Sequence, residues 1–154
     1  MTDLERRIHN DMVQAMKSRN AAVLDPLRML KAALQNASVE KGRESELSED
    51  EIITVVGRLV KQRREAAAQY ESGGASDRAA EELAEVEVLG AYLPAQMTER
   101  ELDDLVRKIV SDTGASGPRD MGKVMGAIMP RVKGRADGNL VREVVRRSLA
   151  PPEA

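Results

Sequence analysis

The chain has 154 residues, 42% hydrophobic and 32% charged, with a net charge of -2, a composition that suits a globular protein and excludes a disordered one. It has no Cys, Phe or Trp, and Tyr70 and Tyr92 are its only aromatics; disulfides, thiol chemistry and cysteine-held metals are excluded. No run approaches about 18 apolar residues, which excludes a membrane-spanning helix, and the charged start MTDLERRIHND is not a signal peptide. These features lead to the expectation of a cytoplasmic protein.

A core without large aromatics must come from Leu, Val, Ile, Ala and Met, and helical stripes assemble such cores most readily. Leu4, Ile8, Met12, Ala15 and Met16 form the first stripe. Asp25-Pro26 suggests a cap with proline at the first helical position, followed by Leu27, Leu30, Leu34 and Ala37. Residues 42–47 read as a turn. Ser48 with Glu51 is a capping box that opens a third helix carrying Ile52, Val55, Val56, Leu59 and Val60. The Val/Ile run leaves a buried strand open, but the box and the helix formers of 61–69 favour helix. Ser72-Gly73-Gly74 ends it. A fourth helix over 77–91 carries Leu83, Val86 and Leu89, and Pro94 stops it.

Thr98 with Glu101 is a second capping box, opening a fifth helix with Leu102, Leu105, Val106 and Ile109. A sixth helix carries Met121, Val124, Met125, Ile128 and Met129 and ends at Pro130. A seventh carries Leu140, Val141, Val144, Val145 and Leu149. The expected fold is all-α: a four-helix N-terminal unit over 1–94, a three-helix C-terminal unit over 95–150, and a tail over 151–154. The second unit is small enough to be marginal alone.

Charge is unevenly spread. Residues 1–94 carry 13 Lys/Arg and 17 Asp/Glu, whereas residues 117–150 carry 8 and 3. A basic segment on an acidic chain points to a polyanion partner, with an ordinary solvated surface as the alternative. The Gly117–Lys123 run fits G-x-x-x-x-G-K, but Val124 stands where a phosphate loop needs Ser or Thr, and no strand precedes it. His9 is the only histidine, and neither a zinc-binding spacing nor a nucleophilic triad can be assembled around it. No catalytic residue, metal or cofactor is expected.

Gly122 and Gly126 stand four apart on one helix face. Each costs about 1 kcal/mol relative to alanine, so close approach of a helix or of a ligand backbone is expected there. In the run from Arg131 to Gly138, Asp137 can cap the last helix, Gly134 and Gly138 permit unusual backbone angles, and three cations stand beside a helix N-terminus that attracts phosphate. Lys123, Arg131, Lys133, Arg135, Arg142 and Arg146 are the candidate RNA contacts, and Gly122, Gly126, Gly134 and Gly138 the close-approach positions. Without aromatics nearby, recognition would rest on backbone shape and charge. A second cluster, Arg58, Lys61, Arg63 and Arg64, reads as a solvated face paired with acids such as Glu65.

The runs Ala15-Met16-Lys17, Leu27-Arg28-Met29-Leu30, Lys61–Glu65, Glu87-Val88-Leu89 with Tyr92-Leu93-Pro94, Asp120–Met125 and Lys133–Gly138, in that order, resemble the GatB/YqeY family over residues 2–149. Gly126 and the glycine-rich stretch 73–78 depart from that pattern. The resemblance implies a helical two-unit fold, and kinship with the tail of a glutamine-dependent tRNA amidotransferase subunit, which helps hold tRNA. The expected function is therefore binding of tRNA or another structured RNA. An auxiliary part in carbon–nitrogen ligation with glutamine as amido-N-donor, and a protein–protein adaptor without RNA, are the alternatives; no membrane partner is expected.

Overall fold

A computed structural model of the chain describes residues 1–43 and 45–150; the expected tail 151–154 lies outside the described residues. Among these, seven α-helices form and no strand does, so the fold is all-α: α1 (Asp3–Lys17), α2 (Ala21–Lys41), α3 (Glu49–Ser72), α4 (Ser76–Gly90), α5 (Glu99–Thr113), α6 (Met121–Val132) and α7 (Gly138–Leu149). A single 3-10 turn, Pro118–Asp120, leads into α6. The chain divides into two compact units, Met1–Leu93 and Pro94–Ala154.

In the first unit, the stripes Leu4-Ile8-Met12 of α1 and Leu27-Leu30-Leu34 of α2 pack with Ile52, Val56 and Leu59 of α3 and Val86 and Leu89 of α4. Met16 and Leu83, expected in those stripes, are exposed. They lie at the edges of their faces, where the core ends. The Ser48–Glu51 capping box is complete: the Glu51 N–H donates to Ser48 Oγ, and the Ser48 N–H to Glu51 Oε1, both at 3.1 Å. Lys41 Nζ donates to the same carboxylate oxygen at 2.8 Å. Tyr92 belongs to the same core. It is buried, and its hydroxyl donates to Asp11 Oδ2 at 2.6 Å. The Arg7 guanidinium lies 4.9 Å from its ring centroid. Burial, reinforced by the Asp11 carboxylate, pushes the Tyr92 hydroxyl far above its usual pKa.

Two helix boundaries differ from expectation. The helix α2 starts at Ala21, with Pro26 inside it rather than at its first position. The proline N–H that is missing would have bonded the Ala22 carbonyl, and Ala22 is exposed to water. Starting early brings Val23 and Leu24 onto the core. In α6, Pro130 does not end the helix, which runs to Val132. The carbonyl it orphans belongs to exposed Gly126, while Val132 is fully buried and holds the last turn in place.

The second unit has its own core: Leu102, Val106 and Ile109 of α5, Val124, Ile128 and Val132 of α6, and Val141, Val144, Val145 and Leu149 of α7. At Thr98 the hydroxyl accepts the Glu101 N–H at 3.1 Å, so one half of the expected box is present. Gly114 ends α5 in the left-handed conformation that glycine adopts without strain.

Ser48→Ala should destabilise the first unit by about 1 kcal/mol in denaturant unfolding. Hydrogen bonds from Lys41 and Ser48 hold Glu51 down from 4.5 to about 2. A depressed carboxylate stabilises the fold above its unfolded pKa. The penalty of a Glu51→Gln variant should therefore be largest at neutral pH and shrink as pH falls from about 4.5 toward 2. Ile128→Ala should cost about 2–5 kcal/mol and melt the second unit while the first stays helical, seen as loss of exchange protection over α5–α7 alone.

Candidate nucleic-acid interface

The basic segment supplies α6 and α7, two of the three helices that build the second unit's core. The helix α6 buries Val124, Ile128 and Val132, which leaves Lys123 and Arg131 exposed on its other sides. They stand eight residues apart, about 12 Å along the axis. Lys133 caps the C-terminus of α6 and is exposed; Gly134 follows at φ 74°, left-handed backbone that explains a glycine there. In α7, burial of Val141, Val144 and Val145 turns Arg142 and Arg146 to solvent one turn apart.

These cations are not equivalent. Arg146 donates to Glu143 one turn back, and Arg147 pairs with Glu99 of α5 at 3.5 Å. Arg135 is half-buried, and its Nε donates to the Ala95 carbonyl at 2.9 Å. Lys123, Arg131, Lys133 and Arg142 are exposed and make no ion pair among the described residues. The same holds for Arg119, in the turn that precedes α6. These five side chains carry charge with no carboxylate partner among the described residues, as does Arg135, whose only recorded partner is a neutral carbonyl. Of its acids, Glu143 is taken by Arg146, and Asp120 accepts the Ser116 N–H at 2.9 Å.

The structure bears on two expectations about this segment. Asp137 occupies the N-cap position of α7 in extended backbone, but its side chain makes no cap hydrogen bond. Its carbonyl instead accepts the first intrahelical bond, from Val141 at 3.0 Å. Gly122 and Gly126 are exposed, and a Cβ at either would meet nothing within 4 Å. No described helix of this chain packs closely there; the two glycines face outward. A Cβ at Gly138 would reach Met129 Cε at 3.9 Å, an ordinary contact.

A contact that the sequence does not disclose holds the basic loop. The segment Ala95–Met97 lies against Gly134 and Arg135: Gln96 Nε2 donates to the Gly134 carbonyl at 2.7 Å, and the Met97 N–H to the Arg135 carbonyl at 2.9 Å. Partners 38 residues apart leave no periodic signal.

Elsewhere the chemistry is sparse. The Gly117–Lys123 run forms extended backbone, a 3-10 turn and the start of α6, following a helix and loop. It has no strand to launch a phosphate loop. His9 is exposed and lines a cleft of about 610 Å³ with Ile8, Met12, Leu34, Leu47 and Lys31. No group of three His, Asp or Glu side chains among the described residues could hold a metal. In the second basic cluster, Arg63 is engaged by Glu85 at 2.8 Å and Glu82 at 3.7 Å, both on α4, rather than by Glu65.

Comparison with known proteins agrees with the helical architecture. The chain is 28% identical over 132 residues to the Altered inheritance of mitochondria protein 41, mitochondrial, of Pyrenophora tritici-repentis, covering 84% of this chain and 71% of that protein. It is 36% identical over 73 residues to one subunit of the Glutamyl-tRNA(Gln) amidotransferase of Thermococcus gammatolerans, 47% of this chain and 12% of that longer protein. The family profile described as Yqey-like protein matches residues 5–149, nearly the whole helical body, and the chain belongs to the YqeY family.

Proposed function

We propose that the chain is a tRNA- or structured-RNA-binding module whose contacts lie on the second unit. The observation that carries this reading is the set of exposed cations without ion pairs among the described residues, Lys123, Arg131, Lys133 and Arg142, in a segment of 8 basic and 3 acidic residues on an acidic chain. Phosphate contacts of this kind position a polyanion without reading its bases, which fits a segment without aromatics. The likeness to part of an amidotransferase named for glutamyl-tRNA(Gln) supports tRNA as the RNA. The outward faces of Gly122 and Gly126 leave the α6 backbone open to a close-lying strand. Arg146 serves less directly than the others, because Glu143 already holds it.

In this reading the chain works in the cytoplasm, where free tRNA is available. No helix among the described residues is long and apolar enough to cross a membrane.

The same amidotransferase likeness favours a second reading, an auxiliary component of carbon–nitrogen ligation with glutamine as amido-N-donor. The chain matches 12% of that relative, so any amidation turnover in this reading belongs to a complex with partner proteins. Purified chain should show neither glutaminase nor ligase turnover, and turnover by the chain alone would contradict both readings.

Binding of total tRNA to the purified chain across a salt series tests the first reading. Affinity should fall with a log–log slope of about 0.7–0.9 per phosphate contact. The Lys123→Glu/Lys133→Glu variant should lose at least 10-fold in affinity and two contacts' worth of slope, about 1.4–1.8. Unchanged affinity in the variant would refute the assignment. Arg135 is unsuited to this test, because its Nε bond to Ala95 makes charge reversal there a structural lesion as well.

A further inference from the structure

We propose that Gln96 and the guanidinium of Arg135 are positioning residues for the anion-binding loop, an inference that rests on the RNA-binding reading. The run from Lys133 to Asp137 is a short irregular connection between α6 and α7. Such a loop, with a glycine at φ 74°, has many conformations open to it unless something outside it selects one. The segment Ala95–Met97, nearly forty residues earlier, does so with three hydrogen bonds. Gln96 Nε2 donates to the Gly134 carbonyl at 2.7 Å. The Met97 N–H donates to the Arg135 carbonyl at 2.9 Å. Arg135 Nε donates to the Ala95 carbonyl at 2.9 Å.

The bonds run in both directions, so the two segments hold each other. Gln96 Nε2 also donates to the Pro94 carbonyl at 3.0 Å, which fixes its amide between the two segments. The loop itself has two bonds to the end of α6, from the Arg135 and Ala136 N–H groups to the Val132 carbonyl, at 2.8 and 3.1 Å. The clamp adds the constraint from the opposite side.

The chemistry of arginine gives the clamp a second consequence. Nε–H is one of five donors on the guanidinium, and the four Nη hydrogens remain for a phosphate. Arg135 can therefore keep its bond to Ala95 while its outer edge meets an anion. Holding Nε fixes the plane of the fork before the ligand arrives, which lowers the ordering cost of binding. Lys133, two residues away, is carried on the same clamped loop. Gln96 itself is neutral and acts only through the loop.

Gln96→Met tests this, since it keeps side-chain length and charge and removes the donor. Hydrogen exchange at the Met97 and Arg135 amides should speed up in free Gln96→Met chain. Affinity for total tRNA, measured well below the melting temperature, should fall about 3- to 10-fold, while the salt slope stays that of the wild type, because no phosphate contact is lost. Lys133→Ala, measured alongside, should reduce the slope by about 0.7–0.9. A merely structural role for Gln96 would lower the melting temperature and leave the low-temperature affinity unchanged. That result, with wild-type chain binding tRNA normally, overturns the positioning role and leaves the RNA-binding reading standing. Unaltered exchange at both amides also overturns it. Failure of the wild type to bind tRNA at low salt overturns the RNA-binding reading, and the positioning role with it.

Discussion

A core with neither Phe nor Trp has to be closed by many small contacts. Every helix here meets that constraint in the same way, by burying Leu, Val and Ile at three- and four-residue spacings. Each such stripe fixes the rotation of its helix and therefore decides which residues face water. In α6, burial of Val124, Ile128 and Val132 leaves Gly122, Lys123, Gly126 and Arg131 outside. In α7, Val141, Val144 and Val145 do the same for Arg142 and Arg146. The exposed basic residues follow from the packing of a valine-rich core.

The second unit divides its positive charge between structure and solvent. Arg146 and Arg147 are engaged by Glu143 and Glu99, and Arg135 by the Ala95 carbonyl. Exposed pairs of the first kind contribute little to stability. The bond from Arg135 differs, because it joins a loop to a segment far away in sequence. In the basic segment, the cations that make no ion pair among the described residues lie on two helices, the loop between them and the turn before α6. Such an arrangement suits contact with several phosphates by shape and charge. In the first unit, Lys41 and Arg63 are taken up by carboxylates of the same unit.

Much of this organisation is legible in the sequence. The stripes locate all seven described helices, and Ser48 with Glu51 locates the start of α3 to the residue. Prolines mislead, because they act locally while burial acts along the whole helix. Leu24 packs on the core even though Pro26 follows, and Val132 is buried even though Pro130 precedes it. Each lost bond leaves only an exposed carbonyl, which water can satisfy. The paired glycines of α6 are legible as an anomaly, but spacing alone does not distinguish a buried helix crossing from an open face. The Gln96–Gly134 bond is illegible altogether, because neither residue belongs to a periodic element. The uneven value of the cations is hidden for the same reason: Arg135 and Lys133 look alike in sequence, and only the fold gives one of them a carbonyl to hold.

In the proposed function, RNA meets the second unit through side chains the core turns outward. Lysine footprinting tests it most directly, by measuring the acylation rate of each lysine with and without saturating tRNA. Strong protection of Lys123 and Lys133, with unchanged rates at Lys17 and Lys31 of the first unit, is the expected result. Protection centred on Lys17 and Lys31, or none at Lys123 and Lys133 while tRNA is bound, would contradict it.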